Sequence, residues 1–186
     1  MTHSIRKATL ADIPALEKLI ADSARGLARQ DYTEAQIEAA IGTAWGVDSE
    51  LIRDQTYFVA EAEGFVADAE GAGLIACGGW SRRKKLFGSD AQPGSESEVL
   101  DPLHDSARIR AFFVRSDWAR RGLGHSLLRK CEDEARSQGF KSASLVATLT
   151  GQRLYRLSGY VGEEHIEYPL RKGLTIAMVP MTKSPL

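Results

Sequence analysis

The chain has 186 residues, enough for one domain with a sizeable core. Its 24 lysines and arginines stand against 25 aspartates and glutamates, a formal net charge of −1, so the basic excess of a nucleic-acid binder is absent. No apolar run reaches membrane-spanning length and no signal-peptide pattern opens the chain. Cys77 and Cys131 both lie in apolar settings, which suits a reducing compartment better than a disulfide. The expectation is a single domain over residues 1–186 in the cytoplasm, with neither nucleic acid nor membrane as partner.

Residues 4–8 read as a first strand. Thr9-x-x-Asp12 then has the pattern of a capping box, and Ile13, Leu16 and Ile20 form one face of a first helix. A second helix starts at Thr33, with Gln36 three residues on and Ile37, Ala40 and Ile41 inward; residues 49–55 add a helical turn. Residues 57–62 alternate like a strand, and 73–80 make another, in which Gly78 and Gly79 signal a bulge or a close backbone approach. The segment S-R-R-K-K at 81–85 is basic. Residues 87–105 carry the Gly, Ser, Pro and acid of a long loop, with 88–105 expected to be flexible. Its Asp90, Glu96, Glu98, Asp101, His104 and Asp105 are either a solvated acidic face or an attraction for a cationic amine.

The organising stretch comes next. A-R-I-R-A-F-F-V at 107–114 has the branched and aromatic residues of a buried strand. W-A-R-R-G-L-G-H-S-L-L follows at 118–128, and Leu123, Leu127, Cys131 and Ala135 recur every four residues as the stripe of an amphipathic helix ending at Gly139. Strand, turn and helix in that order place two arginines and two glycines at a helix N-terminus. Unpaired N–H groups and the helix dipole there favour a di- or triphosphate. A dinucleotide fingerprint is excluded because Leu127 stands where its third glycine would be, and the P-loop pattern is absent. A basic surface turn, with glycines for tight strand–helix packing, is the competing reading. Residues 142–147 form the next strand, parallel to the central one through a single helical crossover. Thr150 is expected to cap a short helix through Leu157 that Gly159 closes, and 164–168 pairs with 175–181. The layout is α/β with a mixed, mostly antiparallel sheet. His3, His104, His125 and His165 lack ligand spacing, so no metal is expected.

R-R-G-L-G-H-S-L-L after the strand, with Leu154-Tyr155-x-x-x-Gly159-Tyr160 downstream, resembles the GCN5-related N-acetyltransferase (GNAT) family over roughly residues 4 to 182. The chain departs from the family's [QR]-x-x-G-x-[GA] turn at Ala119, where Gln or Arg is usual. The resemblance implies helices on both faces of the sheet, a splayed parallel central strand pair, and acetyl-CoA as co-substrate without a metal. It implies that Arg120, Arg121, Gly122, Leu123, Gly124, His125 and Ser126 grip the pyrophosphate. The backbone of Phe112, Phe113 and Val114 would bind pantetheine, and Tyr155 would protonate the departing thiolate.

The first helical pair borders the acceptor in this family, so Arg25, Arg29, Tyr32 and Trp45 are substrate contacts or packed and solvated residues, and 81–85 meets a CoA phosphate or solvent. The strand glutamate that serves some relatives as base is replaced by Arg108-Ile109-Arg110, which leaves His104, Asp101, Glu98, Asp117 or a water relay. The implied activity is acetyl transfer to a primary amine, on a small molecule or a peptide or protein, by direct attack in a ternary complex. Homodimers are common in the family. A non-catalytic acyl-CoA-binding sensor and an unrelated phosphate-binding domain are the alternatives.

Overall fold

Among the described residues seven segments form strands: β1 (His3–Lys7), β2 (Tyr57–Ala62), β3 (Leu74–Ser81), β4 (Ala107–Val114), β5 (Ala143–Thr148), β6 (Ile166–Pro169) and β7 (Thr175–Lys183). In the computed structural model, which describes residues 3–62, 73–91 and 98–186, they build one sheet in the order β1-β2-β3-β4-β5-β7-β6. β4 and β5 run parallel, and every other neighbouring pair is antiparallel. The helices are α1 (Ile13–Leu27), α2 (Glu34–Ala40), α3 (Ser49–Arg53), α4 (Leu123–Ser137) and α5 (Gln152–Leu157).

Successive side chains of a strand point to opposite faces, and β2 shows how this divides the interior. Tyr57 and Val59 enter one apolar cluster with Leu16 and Ile20 of α1, Ile37 of α2 and Leu51 of α3. Phe58 and Ala60 enter the other, with Leu123, Leu127 and Cys131 of α4 and Tyr155 of α5. The sheet therefore carries α1 to α3 on one face and α4 and α5 on the other. Being covered on both sides, β3 buries all eight of its residues, which is why it reads as an apolar run without alternation. Cys77 and Cys131 lie in different clusters and cannot meet; burial pushes the Cys77 thiol up to about 12 and raises that of Cys131 well above its usual value.

Local signals act where the sequence places them. Thr9 donates both its N–H and its hydroxyl to Asp12 Oδ2 ahead of α1, and the Thr33 hydroxyl accepts from the Gln36 N–H ahead of α2. Gly139, at φ 92°, turns the chain after α4. One cap differs. Gly151, not Thr150, precedes α5, because the Thr150 hydroxyl donates to Asp31 Oδ2 at 2.6 Å, and the Gly151 N–H is satisfied instead by Thr148 Oγ1 at 3.0 Å. The expected long loop is pinned at both described flanks: Ser89 N–H donates to the Thr43 carbonyl, Asp90 accepts from Ser49, and Leu100 N–H donates to Arg82 O. Glu96 lies outside the described residues. Among those described, no helix is long and apolar enough to cross a membrane.

Candidate active site

The parallel pair at the centre of the sheet barely pairs. Ala107 faces Ala143 and Arg108 faces Ser144, and beyond these two positions β4 and β5 have no further register partners. A bulge in β4 accompanies the separation. Gly79 opposes Arg110 and Cys77 opposes Phe113, so Ala111 and Phe112 together face Gly78, and the extra residue bends the strand. Ala111 takes φ 55°, uncommon for a residue with a side chain. The fully buried Tyr57 hydroxyl holds this geometry by donating to the Ala111 carbonyl at 3.1 Å, with the Cys77 sulfur 3.2 Å away. Gly78 is required by the fit: a Cβ there would sit 2.8 Å from the Phe112 ring. Of the bulge or close backbone approach expected at this Gly-Gly pair, the close approach is at the pair itself, where a Cβ on Gly79 would lie 2.8 Å from the Thr56 carbonyl, and the bulged residues lie opposite it on β4.

A cavity of about 920 Å³ occupies the gap, lined by Ile109 to Val114 on one side and Val146, Thr148 and Leu149 on the other. One end opens on the turn after β4. Arg120, at φ 61°, and Gly122, at φ 85°, reverse the chain so that α4 starts at Leu123 with no side chain capping it. Leu123, Gly124 and His125 thus present first-turn N–H groups without intrahelical partners, whereas the Ser126 N–H is already closed on the Gly122 carbonyl at 2.9 Å. Gly124 lets Leu154 approach, since a Cβ would lie 3.1 Å from its Cδ2. Arg120, Gly122, Leu123, Gly124 and His125 line the cavity; Arg121 and Ser126 do not. The Arg121 guanidinium instead stacks 4.9 Å from the Trp118 ring.

Tyr155 lines the middle of the cavity, held edge-on by Phe112 at 6.2 Å and Tyr160 at 5.8 Å between ring centroids. Burial raises its phenol above the usual tyrosine value, so it stays protonated at neutral pH. Phe112, Phe113 and Val114 also line the gap, and the Val114 N–H donates to the Ser23 hydroxyl of α1 at 3.2 Å. α1 can cross so near because Gly26 faces Ser116 without a side chain; a Cβ would come within 2.8 Å.

Trp45, Phe87 and Arg110 also line the cavity, as do Arg29 and Asp31 from the chain after α1, with Asp31 accepting from the Thr150 hydroxyl ahead of α5. Asp31 is the carboxylate among the described lining residues. Of the residues considered for substrate contact, Arg25 pairs with Glu38 at 2.7 Å outside the cavity. Tyr32 is structural: its hydroxyl donates to the Ala177 carbonyl and accepts from the Leu149 N–H, and burial pushes it up to about 12. None of the four expected base candidates lines the cavity. Asp117 is held below the usual carboxylate range by the Arg115 fork, Glu98 pairs with Lys84, and Asp101 accepts from Leu103 N–H in a local turn. His104 is exposed beside Asp101. The basic segment 81–85 lies at the start of β4, because Ser81 pairs with Arg108, and so at the far end from the turn that precedes α4. Its Arg83 pairs with Asp54 and its Lys85 with Asp48. No group of three or more His, Cys, Asp or Glu able to hold a metal occurs among the described residues.

Comparison with known proteins agrees with this architecture. The profile of the Acetyltransferase (GNAT) family matches residues 28–160. No curated protein matches the chain by sequence. Among solved structures, a GCN5-related N-acetyltransferase from Rhodopseudomonas palustris superposes with a TM-score of 0.68 at 18% identity, over 99% of this chain and 96% of that one. The PaiA N-acetyltransferase of Thermoplasma acidophilum, solved with coenzyme A, gives 0.65 at 15% identity over 99% of both chains. The ribosomal-protein-S18-alanine N-acetyltransferase of Escherichia coli gives 0.56 at 16% identity, over 99% of this chain and 94% of that one. With its splayed parallel pair, its uncapped helix after the central strand and a family profile spanning both, the chain belongs to the GNAT acetyltransferase family.

Proposed function

We propose that the protein transfers an acetyl group from acetyl-CoA to a primary amine by direct attack within a ternary complex. The observation that carries this reading is one continuous cavity joining the uncapped N-terminus of α4, the open edge of β4 and the protonated phenol of Tyr155. In this reading the amides of Leu123, Gly124 and His125, with Gly122 and the charge of Arg120, hold the pyrophosphate. Arg121 and Ser126, outside the lining, contribute at most long-range charge and a second layer. Pantetheine lies along the backbone of Phe112, Phe113 and Val114, and Ser23 gives up the Val114 N–H as it binds. The amine nitrogen attacks the thioester carbonyl, the carbon–sulfur bond breaks, and the departing thiolate takes the Tyr155 proton. Asp31, directly or through water, receives the proton the ammonium must lose before it attacks, and the second proton that nitrogen sheds as the amide forms returns through water to the Tyr155 phenolate. Both cysteines are buried, protonated and outside the cavity lining, which favours direct transfer over an acyl-cysteine intermediate.

The test is thiol release from acetyl-CoA with purified protein and a panel of amines, for the native chain, Tyr155→Phe and Asp31→Asn. Amine-dependent release that falls about a hundredfold in Tyr155→Phe supports the reading. Binding of acetyl-CoA with no amine-dependent release would favour the non-catalytic sensor instead, and a chain that binds ATP as well as acetyl-CoA would be the unrelated phosphate binder.

A further inference from the structure

Arg110 lies on the central strand with its side chain 1% exposed, yet it lines the cavity. A guanidinium offers five N–H donors. Here Nη2 is committed, to Asp48 Oδ2 at 2.7 Å and to the Gly88 carbonyl at 3.0 Å. Nε and Nη1 are buried without a hydrogen-bond partner among the described residues, and so is the indole Nε1 of Trp45, which lines the same cavity. Buried donors without partners are costly in a folded protein and ask for a function. Asp48 is shared with Lys85, whose Nζ is 3.0 Å from the same oxygen, and Glu50 also acts on Lys85, so the two free nitrogens of Arg110 stand beside an ion-pair network that does not occupy them. The surrounding wall is apolar, from Leu86, Phe87 and Ala44. Arg110 opposes Gly79 and Val114 opposes Ala76, so across the bulge Arg110 lies three register steps, roughly 10 Å, along β4 from Val114, where the phosphate end begins. It is thus away from the groups that would meet a cofactor's phosphates.

We infer that Arg110 and Trp45 form a carboxylate-binding subsite for the acceptor, so that the amine acetylated is one that carries a carboxylate. This rests on the acetyl-transfer reading and narrows its substrate class. A carboxylate accepts from several donors at once through charge-assisted bonds, which a neutral amide with its single oxygen matches poorly and a second ammonium cannot make. Since the donors have no partner in the absence of such a group, analogues lacking it are rejected as well as merely unattracted. The carboxylate can belong to a free amino acid or to an acidic peptide, and the assay separates the two.

The experiment compares kcat/KM for paired acceptors. Free apolar amino acids and a ladder of ω-amino acids are each set beside their primary amides, and short peptides are tested with an acidic or an amide-capped terminal residue. The native protein is expected to favour the carboxylate member by about tenfold or more in at least one series, and that series identifies the source. Arg110→Gln is expected to reduce the preference to near unity, and Trp45→Phe to reduce it severalfold. Folding of the variants is checked by the thermal shift that coenzyme A induces; removing Arg110 still leaves Lys85 on Asp48, so no carboxylate is orphaned. Equal rates for acid and amide in the native protein, or a preference surviving in Arg110→Gln, would overturn the inference. Direct calorimetry with the des-amino carboxylates keeps the two claims separate. Arg110-dependent binding without turnover of any amine would sink acetyl transfer and retain the subsite, whereas turnover without such binding or preference would do the reverse.

Discussion

Tyr155 keeps its proton because its phenol is buried among Phe112, Tyr160 and the wall of the gap, where a phenolate would lack water to solvate it. An acid must be protonated to act, and a raised value extends its protonated range upward. If Tyr155 is the acid, the alkaline fall in kcat lies above the ordinary tyrosine value of 10.0, and Tyr155→Phe lowers kcat about a hundredfold while the KM for acetyl-CoA stays nearly constant. A pH–rate profile of both proteins checks this; a large rise in KM with kcat intact would make Tyr155 a packing residue. Ser23 supports a prediction of opposite sign. Its hydroxyl accepts the Val114 N–H at 3.2 Å, a bond that must break if that amide is to serve pantetheine. Ser23→Ala removes the competitor from the unliganded protein alone. Apo stability should drop by about 1 kcal/mol, and the KM for acetyl-CoA should fall by roughly fivefold. A KM that rises would mean the Ser23 hydroxyl itself touches the ligand.

At the scale of elements, the central strand works because it is interrupted. The bulge puts Ala111 and Phe112 opposite Gly78, and any side chain at Gly78 must displace the Phe112 ring from 2.8 Å. Gly78→Ala is therefore expected to destabilise the fold by about 1–3 kcal/mol through overpacking and to raise the KM for acetyl-CoA, measured by denaturant titration and steady-state kinetics. Unchanged values in both would show that the ring moves aside at no cost. This element also marks the limit of what the residues declared by themselves. The strand A-R-I-R-A-F-F-V, the glycine turn and the stripe of α4 are local patterns, and they are legible because period, turn chemistry and propensity agree within a few residues. The Gly-Gly pair even announced the close approach that faces the bulge. Its tether did not, because Tyr57 is 54 positions from the Ala111 carbonyl it bonds. The same distance problem explains Thr150, a good cap by composition that bonds Asp31 across 119 positions instead. It explains the base as well: the acids near β4 in sequence turned out to be engaged locally, and Asp31, in the turn before α2, reaches the cavity only through the fold. In the sequence Arg110 is only one residue of the Arg108-Ile109-Arg110 run, and its unpartnered nitrogens are a property of packing alone.

At the scale of the whole molecule, the sheet is two antiparallel halves, β1 to β4 and β5 to β7, joined at the centre by two register pairs. The gap between the halves has backbone on both edges, α1 over one face and α4 with α5 over the other. An extended ligand seated there would complete hydrogen bonds that the strands themselves do not make, and would tie the halves together while its phosphates hold the start of α4. Coenzyme A without an acyl group should therefore stabilise the fold as a unit. At a hundredfold over its Kd the gain is about 2.7 kcal/mol, which for a chain of this size corresponds to roughly 5–10 °C in Tm. Hydrogen exchange then discriminates how it binds. Ligand laid through the gap slows exchange on both β4 and β5 as well as in the first turn of α4, whereas a ligand gripped by phosphate alone protects only that turn. If ATP at the same multiple of its own Kd reproduces the complete pattern, the splay of the central strands has no part in recognition, and the acetyl-CoA reading loses its structural basis.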